Sequence, residues 1–168
     1  MTAVLFTIAA MFLGVQLGTV ILFMLRFGKQ QQADQAQPRI SLLRPVCGVD
    51  AFEAETLASS FQQDYPDYEV IFCVGRADDA VVPLVRRLIA AHPQISARLL
   101  VGMPGQSGNP KLDNLWKGWD AASSEWICMA DSNLLLPRDY LTTLMLAWTP
   151  DTGMVSAPAI GSRVGNLG

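Results

Sequence analysis

The run Glu125 to Tyr140, EWICMADSNLLLPRDY, decides how the rest of the chain is read. Trp126-Ile127-Cys128-Met129-Ala130 is short and apolar and ends abruptly at Asp131-Ser132-Asn133; a second apolar run follows at once. That length, bounded by polar residues, describes a strand buried on both faces. A carboxylate at the carboxyl end of such a strand sits where open α/β sheets place their ligands. Its oxygens suit a hard divalent cation, which in turn neutralises phosphates. Local spacing leaves a second reading open, in which Asp131 starts a turn or caps the next helix.

Upstream, the same alternation of strand and helix repeats. Ile40-Ser41-Leu42-Leu43 is a candidate strand, with Arg44 to Asp50 (RPVCGVD) marking a loop at its carboxyl end. Asp50 is placed to cap a helix over Ala51 to Gln62, with Phe52, Leu57 and Phe61 near one face. After the turn Asp64-Tyr65-Pro66-Asp67, the segment Tyr68 to Val74 (YEVIFCV) is the clearest strand in the chain. A helix over Ala80 to Ala91 follows, with Val81, Leu84, Leu88 and Ile89 on one side, and then a strand over Ala97 to Val101. A glycine-rich loop, Gly102 to Gly108, leads to Asn109-Pro110-Lys111, which opens a helix running to about Ala122. Downstream of Asp131, the pattern predicts a helix over Arg138 to Trp148 and a fifth strand over Gly153 to Ala157. Alternation of this kind predicts an α/β fold, a mostly parallel Rossmann-like sheet with helices on both faces.

The N-terminus is of another character. Hydrophobic residues make up 51% of the 168 and charged residues only 16%, which is apolar for a soluble domain. The excess lies between Ala3 and Leu25, roughly 23 residues, enough to cross ~30 Å of hydrocarbon as a tilted helix. No basic segment precedes the run, it is too long for a signal peptide, and no small-residue cleavage site follows, so a retained transmembrane helix is expected. Positive charge falls after the run, at Arg26, Lys29, Arg39 and Arg44. The positive-inside tendency then places the globular part in the cytoplasm at the cell's inner membrane. The expected division is a transmembrane helix over 1–26, a Gln-rich linker over 27–38 and a globular part over 39–168. A net charge of −3, with no basic stripe, gives no reason to expect nucleic acid.

Other reactive residue types carry little. Cys47, Cys73 and Cys128 are odd in number and form no C-x-x-C pair, which fits small buried hydrophobes in a reducing compartment. The lone histidine, His92, precedes Pro93 at a helix end and reads as a capping or surface residue.

A parallel sheet would bring several polar clusters to one edge: Asp50, Asp78-Asp79, the glycine-rich loop with Lys111, and Asp131-Ser132-Asn133. The glycine loop fits neither G-x-G-x-x-G nor G-x-x-x-x-G-K-[ST], and a plain flexible connection competes with a phosphate cradle. Lys111 offers a point charge to a diphosphate, although many lysines are only solvated. One of Asp78 and Asp79 is expected to cap the following helix; a second acid is unneeded for that and is free to face a nucleoside.

Four stretches in order, ISLLRPVCGVD, DYPDYEVIFCVGRADD, GNPKLDNL and ADSN, resemble the lipid-directed glycosyltransferases of the ceramide glucosyltransferase family, including bacterial hopanoid-associated relatives. The resemblance covers Ile40 to Gly168. It implies a membrane anchor, a cytosolic GT-A nucleotide-sugar domain, and inverting transfer of a hexose from a UDP-sugar to a ceramide- or hopanoid-like lipid hydroxyl. It also implies a divalent metal, Mg²⁺ or Mn²⁺. Asp79 matches the family's first aspartate, at the nucleotide, with Asp78 beside it. Asp131 matches the second, which helps hold the metal, and Asn109 and Lys111 match an N-P-K segment near the sugar nucleotide. Two residues depart from the pattern. Ala80 stands where proline is common, and Asn133 stands where a D-x-D version has another carboxylate, so metal binding is expected to rest mainly on Asp131. The family's third aspartate, the expected base, and its Q/R-x-x-R-W segment fall beyond the region matching Gly168. The chain is therefore expected to be the front half of such an enzyme and inactive alone. The rival expectation is a non-catalytic fragment that binds nucleotide or a membrane partner.

Overall fold

The computed structural model describes residues 2–27, 37–102 and 105–161. The chain divides into two compact units, Met1–Asp34 and Gln35–Gly168. The first is a helix, α1 (Thr2–Phe27). Its 26 residues rise ~39 Å at 1.5 Å each, and the stretch Thr2–Leu25 is long and apolar enough to cross a membrane. Its large apolar side chains are exposed on every side, unlike the single stripe of a helix that packs on a core. The linker reading falls mostly on residues 28–36, outside the described residues.

The second unit is a four-stranded sheet of order β3-β2-β1-β4, built from β1 (Ile40–Val46), β2 (Tyr68–Val74), β3 (Ser96–Val101) and β4 (Trp126–Met129). All three pairings are parallel. Side chains alternate between the two faces, as a pleated strand requires. Leu42, Val46, Val70, Phe72 and Val74 point into the larger core, with Leu57, Val81, Val85 and Leu141 from the helices on that side. Those helices are α2 (Glu53–Ala58), α3 (Val81–Ala91) and α5 (Tyr140–Leu146). Leu43, Ile71 and Cys73 point the other way, under Leu115 of α4 (Pro110–Ala121). The expectation of an α/β parallel sheet with helices on both faces holds.

Several local expectations are corrected. β1 does not stop at Leu43: Arg44, Pro45 and Val46 pair with Phe72, Cys73 and Val74. Pro45 is tolerated there because the ladder with β4 ends at Leu43, so no β4 residue pairs opposite its missing N–H. The first globular helix is shorter than 51–62, ending at Ala58 and continuing as a 3₁₀ turn over Ser59–Phe61. α5 covers only Tyr140–Leu146 of the expected 138–148.

β4 is not buried on both faces. It pairs with β1 only, among the described residues, and Met129 is 45% exposed, because an edge strand has a neighbour on one side alone. The expected fifth strand over 153–157 does not form: those residues carry no ladder, and Met154 is 80% exposed. Strand preference in five residues is too weak to act without a buried face or a partner to pair with.

Of the minor residues, His92 falls as expected and the cysteines only in part, since Cys47 is no buried hydrophobe. His92 closes α3, its Nδ1 2.8 Å from the Leu88 carbonyl, with its ring stacked on Phe61. All three cysteines are free; Cys73 is buried, Cys128 half-buried and Cys47 exposed.

Candidate functional site

Parallel strands direct all their carboxyl ends to one edge, and there the following loops enclose an open cleft of about 1140 Å³. The loop after β1 contributes Cys47 to Asp50, the loop after β2 Gly75, Arg76 and Asp79, the start of α4 Asn109 to Lys111, and the loop after β4 Asp131 to Asn133. Of the residues singled out in the sequence, Asp79, Asn109, Lys111, Asp131 and Asn133 thus share one cavity. Asp78 does not line it. Its carboxylate lies at the surface in a two-point pair with Arg76, 2.9 and 2.6 Å.

Each of the five has a local reason for its place. Asp79 accepts from the Val81 N–H at 2.9 Å, fixing the start of α3, and from the Gly48 N–H at 2.9 Å. One carboxylate therefore ties the loop after β2 to the loop after β1. Gly48 has a φ of +70°, a conformation glycine adopts without strain. Asn109 is the N-cap of α4; its side-chain oxygen accepts from the N–H groups of Lys111 and Leu112, and Pro110 fills the first helical position. Two of the helix's free N–H groups are thereby used by the protein, so Lys111 presents its charge through its side chain. Lys111 Nζ lies 2.6 Å from Asp131 Oδ1, with both side chains about half exposed. Asp131 belongs to a tight turn in which the Leu134 N–H donates to the Asp131 carbonyl. Asp131 thus starts a turn, as one of the two sequence readings has it, and its position in that turn also lines the cleft.

Beneath this turn sit two charged residues that sequence reading missed. Arg44 is fully buried in β1, on the face of the larger core. The sequence pattern puts it in a loop and in the positive flank of the apolar run. Its Nη2 donates to the carbonyls of Thr56, Ser132 and Leu134 at 3.1 to 3.2 Å. Burial lowers its pKa to about 10, against the opposing charge of Glu53, so it remains a cation at neutral pH. Glu53 is 3% exposed at the first turn of α2 and lines the cleft. Burial raises its pKa, opposed by a hydrogen bond to Ser132. An arginine between Leu42-Leu43 and Val46 was the available signal, and reading Pro45 as a strand end hid it. Arg39, the other flank residue in the globular unit, is paired with Asp67 at 2.9 Å.

The glycine-rich loop is also anchored by a residue sequence reading passed over. Asp113, buried in α4, accepts from the Ser107 N–H at 2.8 Å, and the Ser107 hydroxyl donates to the Asn109 carbonyl. Lys117 adds a cross-link from the same helix, donating to the carbonyls of Val74 and Gly102.

Comparison with known proteins bears on the family and the fold. The family model described as glycosyl transferase family 21 matches residues 5–168. A ceramide glucosyltransferase of Komagataella phaffii is 37% identical over 99 residues, covering 56% of this chain and 19% of that protein. Ceramide glucosyltransferase 3 of Caenorhabditis elegans is 29% identical over 124 residues, covering 71% of this chain and 27% of that protein. The chain thus spans about a fifth to a quarter of the length of these relatives. Among solved structures, mannosyltransferase PcManGT from Pyrobaculum calidifontis, in complex with GDP-Man and Mn²⁺, superposes with a TM-score of 0.56 at 23% identity. The match covers 81% of this chain and 42% of that one. Likeness at that identity speaks to the fold alone, a GT-A-like parallel sheet.

Proposed function

The chain belongs to glycosyl transferase family 21, and from that premise we propose that it is the donor-binding part of a membrane-anchored, inverting lipid glycosyltransferase. The whole enzyme moves a hexose from a UDP-sugar to a lipid hydroxyl of ceramide- or hopanoid-like type. The observation that carries this reading is the meeting of Asp79, Asn109, Lys111, Asp131 and Asn133 in one cleft at the carboxyl edge of the sheet. The curated relatives named as ceramide glucosyltransferases support the acceptor class. Cavities that hold a nucleotide-sized ligand run to about 1,000 Å³, in keeping with the cleft.

Asp131 and Asn133 offer one carboxylate and one amide oxygen, and no cluster of three His, Cys, Asp or Glu forms among the described residues. Such a donor set fits a hard cation that takes its remaining ligands from phosphates and water, the usual habit of Mg²⁺. When bound there, Mg²⁺ or Mn²⁺ would supply charge neutralisation at the departing diphosphate. The chain's own residues do the rest of the holding. Lys111, paired with Asp131, gains a further anionic partner when a diphosphate enters, and charge-assisted contacts of this kind are the stronger ones. Asp79 keeps the loops after β1 and β2 at a fixed separation, which shapes the nucleoside end. None of these residues stands as the base that deprotonates the acceptor.

α1 supplies the anchor in this reading, with 1–26 as the membrane helix, 27–38 the linker and 39–168 the N-terminal part of the GT-A domain. Arg26 and Lys29 after the span support a cytoplasmic position for the globular unit, at the inner membrane. Calorimetric titration with UDP and Mn²⁺ tests the proposal. Binding of UDP that requires Mn²⁺, lost in Asp131→Ala, is expected. No UDP binding with or without metal would leave the chain only a structural or interaction role.

A further inference from the structure

The turn that carries Asp131 is held from below, on the side of the core. Ala130 N–H donates to the Leu43 carbonyl of β1 at 3.1 Å, and Leu134 N–H closes the turn on the Asp131 carbonyl. The Arg44 guanidinium then binds the carbonyls of Ser132 and Leu134, both 3.1 Å away, and through Thr56 joins them to α2. Glu53, on the same helix, meets the Ser132 side chain. Two buried charged residues therefore converge on a turn of four residues.

A charge in that position is costly. Arg44 Nε and Nη1 and Glu53 Oε1 have no hydrogen-bond partner among the described residues, and unmatched buried polar groups of this kind destabilise a fold. A leucine or methionine would fill the same volume of the core without that cost. What a hydrocarbon cannot supply is a donor to the turn's carbonyls. Those carbonyls face inward, toward Arg44, while Asp131 and Asn133 line the cleft.

We propose that Arg44 is a positioning residue of the cleft, fixing the Ser132 and Leu134 carbonyls so that the Asp131 carboxylate and Asn133 amide are presented together to a divalent cation. It touches no ligand itself. The inference rests on the reading of Asp131 as a metal-binding residue, and its test separates the two.

The experiment uses the full-length protein with Mn²⁺ and UDP as probes. Arg44→Met, Arg44→Lys and Asp131→Ala are compared with wild type in three measurements: the Kd for Mn²⁺ in the presence of UDP, amide exchange across residues 130–136, and thermal melting. Arg44→Met is expected to raise the Mn²⁺ Kd at least tenfold and to speed exchange at Leu134. Arg44→Lys, which keeps the charge and a donor, falls between, at least threefold above wild type. A lower melting temperature with an unchanged Mn²⁺ Kd marks Arg44 as merely structural and overturns the proposal. Should Arg44→Met not fold, Arg44→Lys decides: wild-type Mn²⁺ affinity in that variant overturns it equally. If Asp131→Ala binds Mn²⁺ as well as wild type does, the metal reading itself fails and takes this proposal with it. A lost site in Asp131→Ala beside an intact one in Arg44→Met sinks the positioning role alone.

Discussion

At Gly118 of α4 a side chain has nowhere to go. A Cβ there would sit 2.9 Å from Cys73 Sγ and 3.4 Å from both methyl groups of Leu43. Alanine in place of a helical glycine gains about 1 kcal/mol in propensity, whereas forcing extra atoms into a packed contact costs about 1–3 kcal/mol. The second effect wins, so Gly118→Ala is expected to lower stability by about 1 kcal/mol in urea unfolding of the globular unit. A stabilised variant would mean that α4 does not lie so close to the sheet. Lys111 poses the opposite case, an exposed side chain whose value is chemical. Lys111→Met should weaken UDP binding by about tenfold at low salt, the worth of one charge-assisted contact. Because the residue is half exposed, salt should shrink that difference; equal UDP affinity at low salt would remove Lys111 from the site.

Among the elements, the sheet's amino-terminal side is bound together by one buried carboxylate. Glu69 of β2 accepts from Ser41 of β1, from the N–H and hydroxyl of Ser123 before β4, and from Arg98 of β3. Burial alone would raise its pKa, but the Ser123 and Ser41 hydrogen bonds and the Arg98 charge outweigh it and hold the group below its usual 4.5. A depressed carboxylate stabilises the fold above its unfolded pKa and loses that contribution as pH falls through the folded one. Glu69→Gln should therefore be clearly less stable than wild type at pH 7 and progressively less so in comparison as the pH is lowered past 4.5. A penalty that stays constant down to acid pH would contradict the network. Glu53 has the reverse sign: with its pKa raised, its contribution is complete at low pH and fades as pH rises through the folded value.

This is also the scale at which sequence reading succeeds and fails. β2 was legible because β-branched and aromatic residues fill nearly every position, and α4 because Asn109-Pro110 is a helix start written in side chains. Asp79, Lys111 and Asp131 were placed on one edge by topology alone. Glu53 and Arg44 escape such a reading, since burial of a charge is decided by what packs over it; Glu53 has no signal among its sequence neighbours, and the apolar residues flanking Arg44 are a signal that Pro45 obscures. The unformed strand at 153–157 failed for a related reason: pairing is a property of two segments.

At the scale of the whole molecule, the two units differ in where their apolar residues lie. The globular unit buries a core of apolar residues on both faces of its sheet, whereas the described large apolar side chains of α1 from Val4 to Leu25 are exposed. A helix of that length and composition is stable where hydrocarbon surrounds it and backbone polar groups are satisfied internally. The 168-residue chain is expected to stay with membranes after alkaline extraction, while residues 37–161 expressed alone are released to the supernatant. Release of the full chain would contradict a membrane-spanning α1.

The order of strands carries a last consequence, for how the site comes into being. Ser41 and its partner Glu69 are 28 positions apart, so the β1–β2 pairing forms over a short loop. Arg44 and Ser132 are 88 positions apart, and closing that longer loop costs about 1 kcal/mol more in chain entropy. Refolding should thus complete β1, β2 and β3 before β4 docks, and pulse-labelled amides of residues 126–134 should be the last to gain protection. On that order the edge that bears Asp131 is expected to be the final piece of the described sheet to assemble and the first to come loose, so ligand binding there would act as a latch on the fold itself.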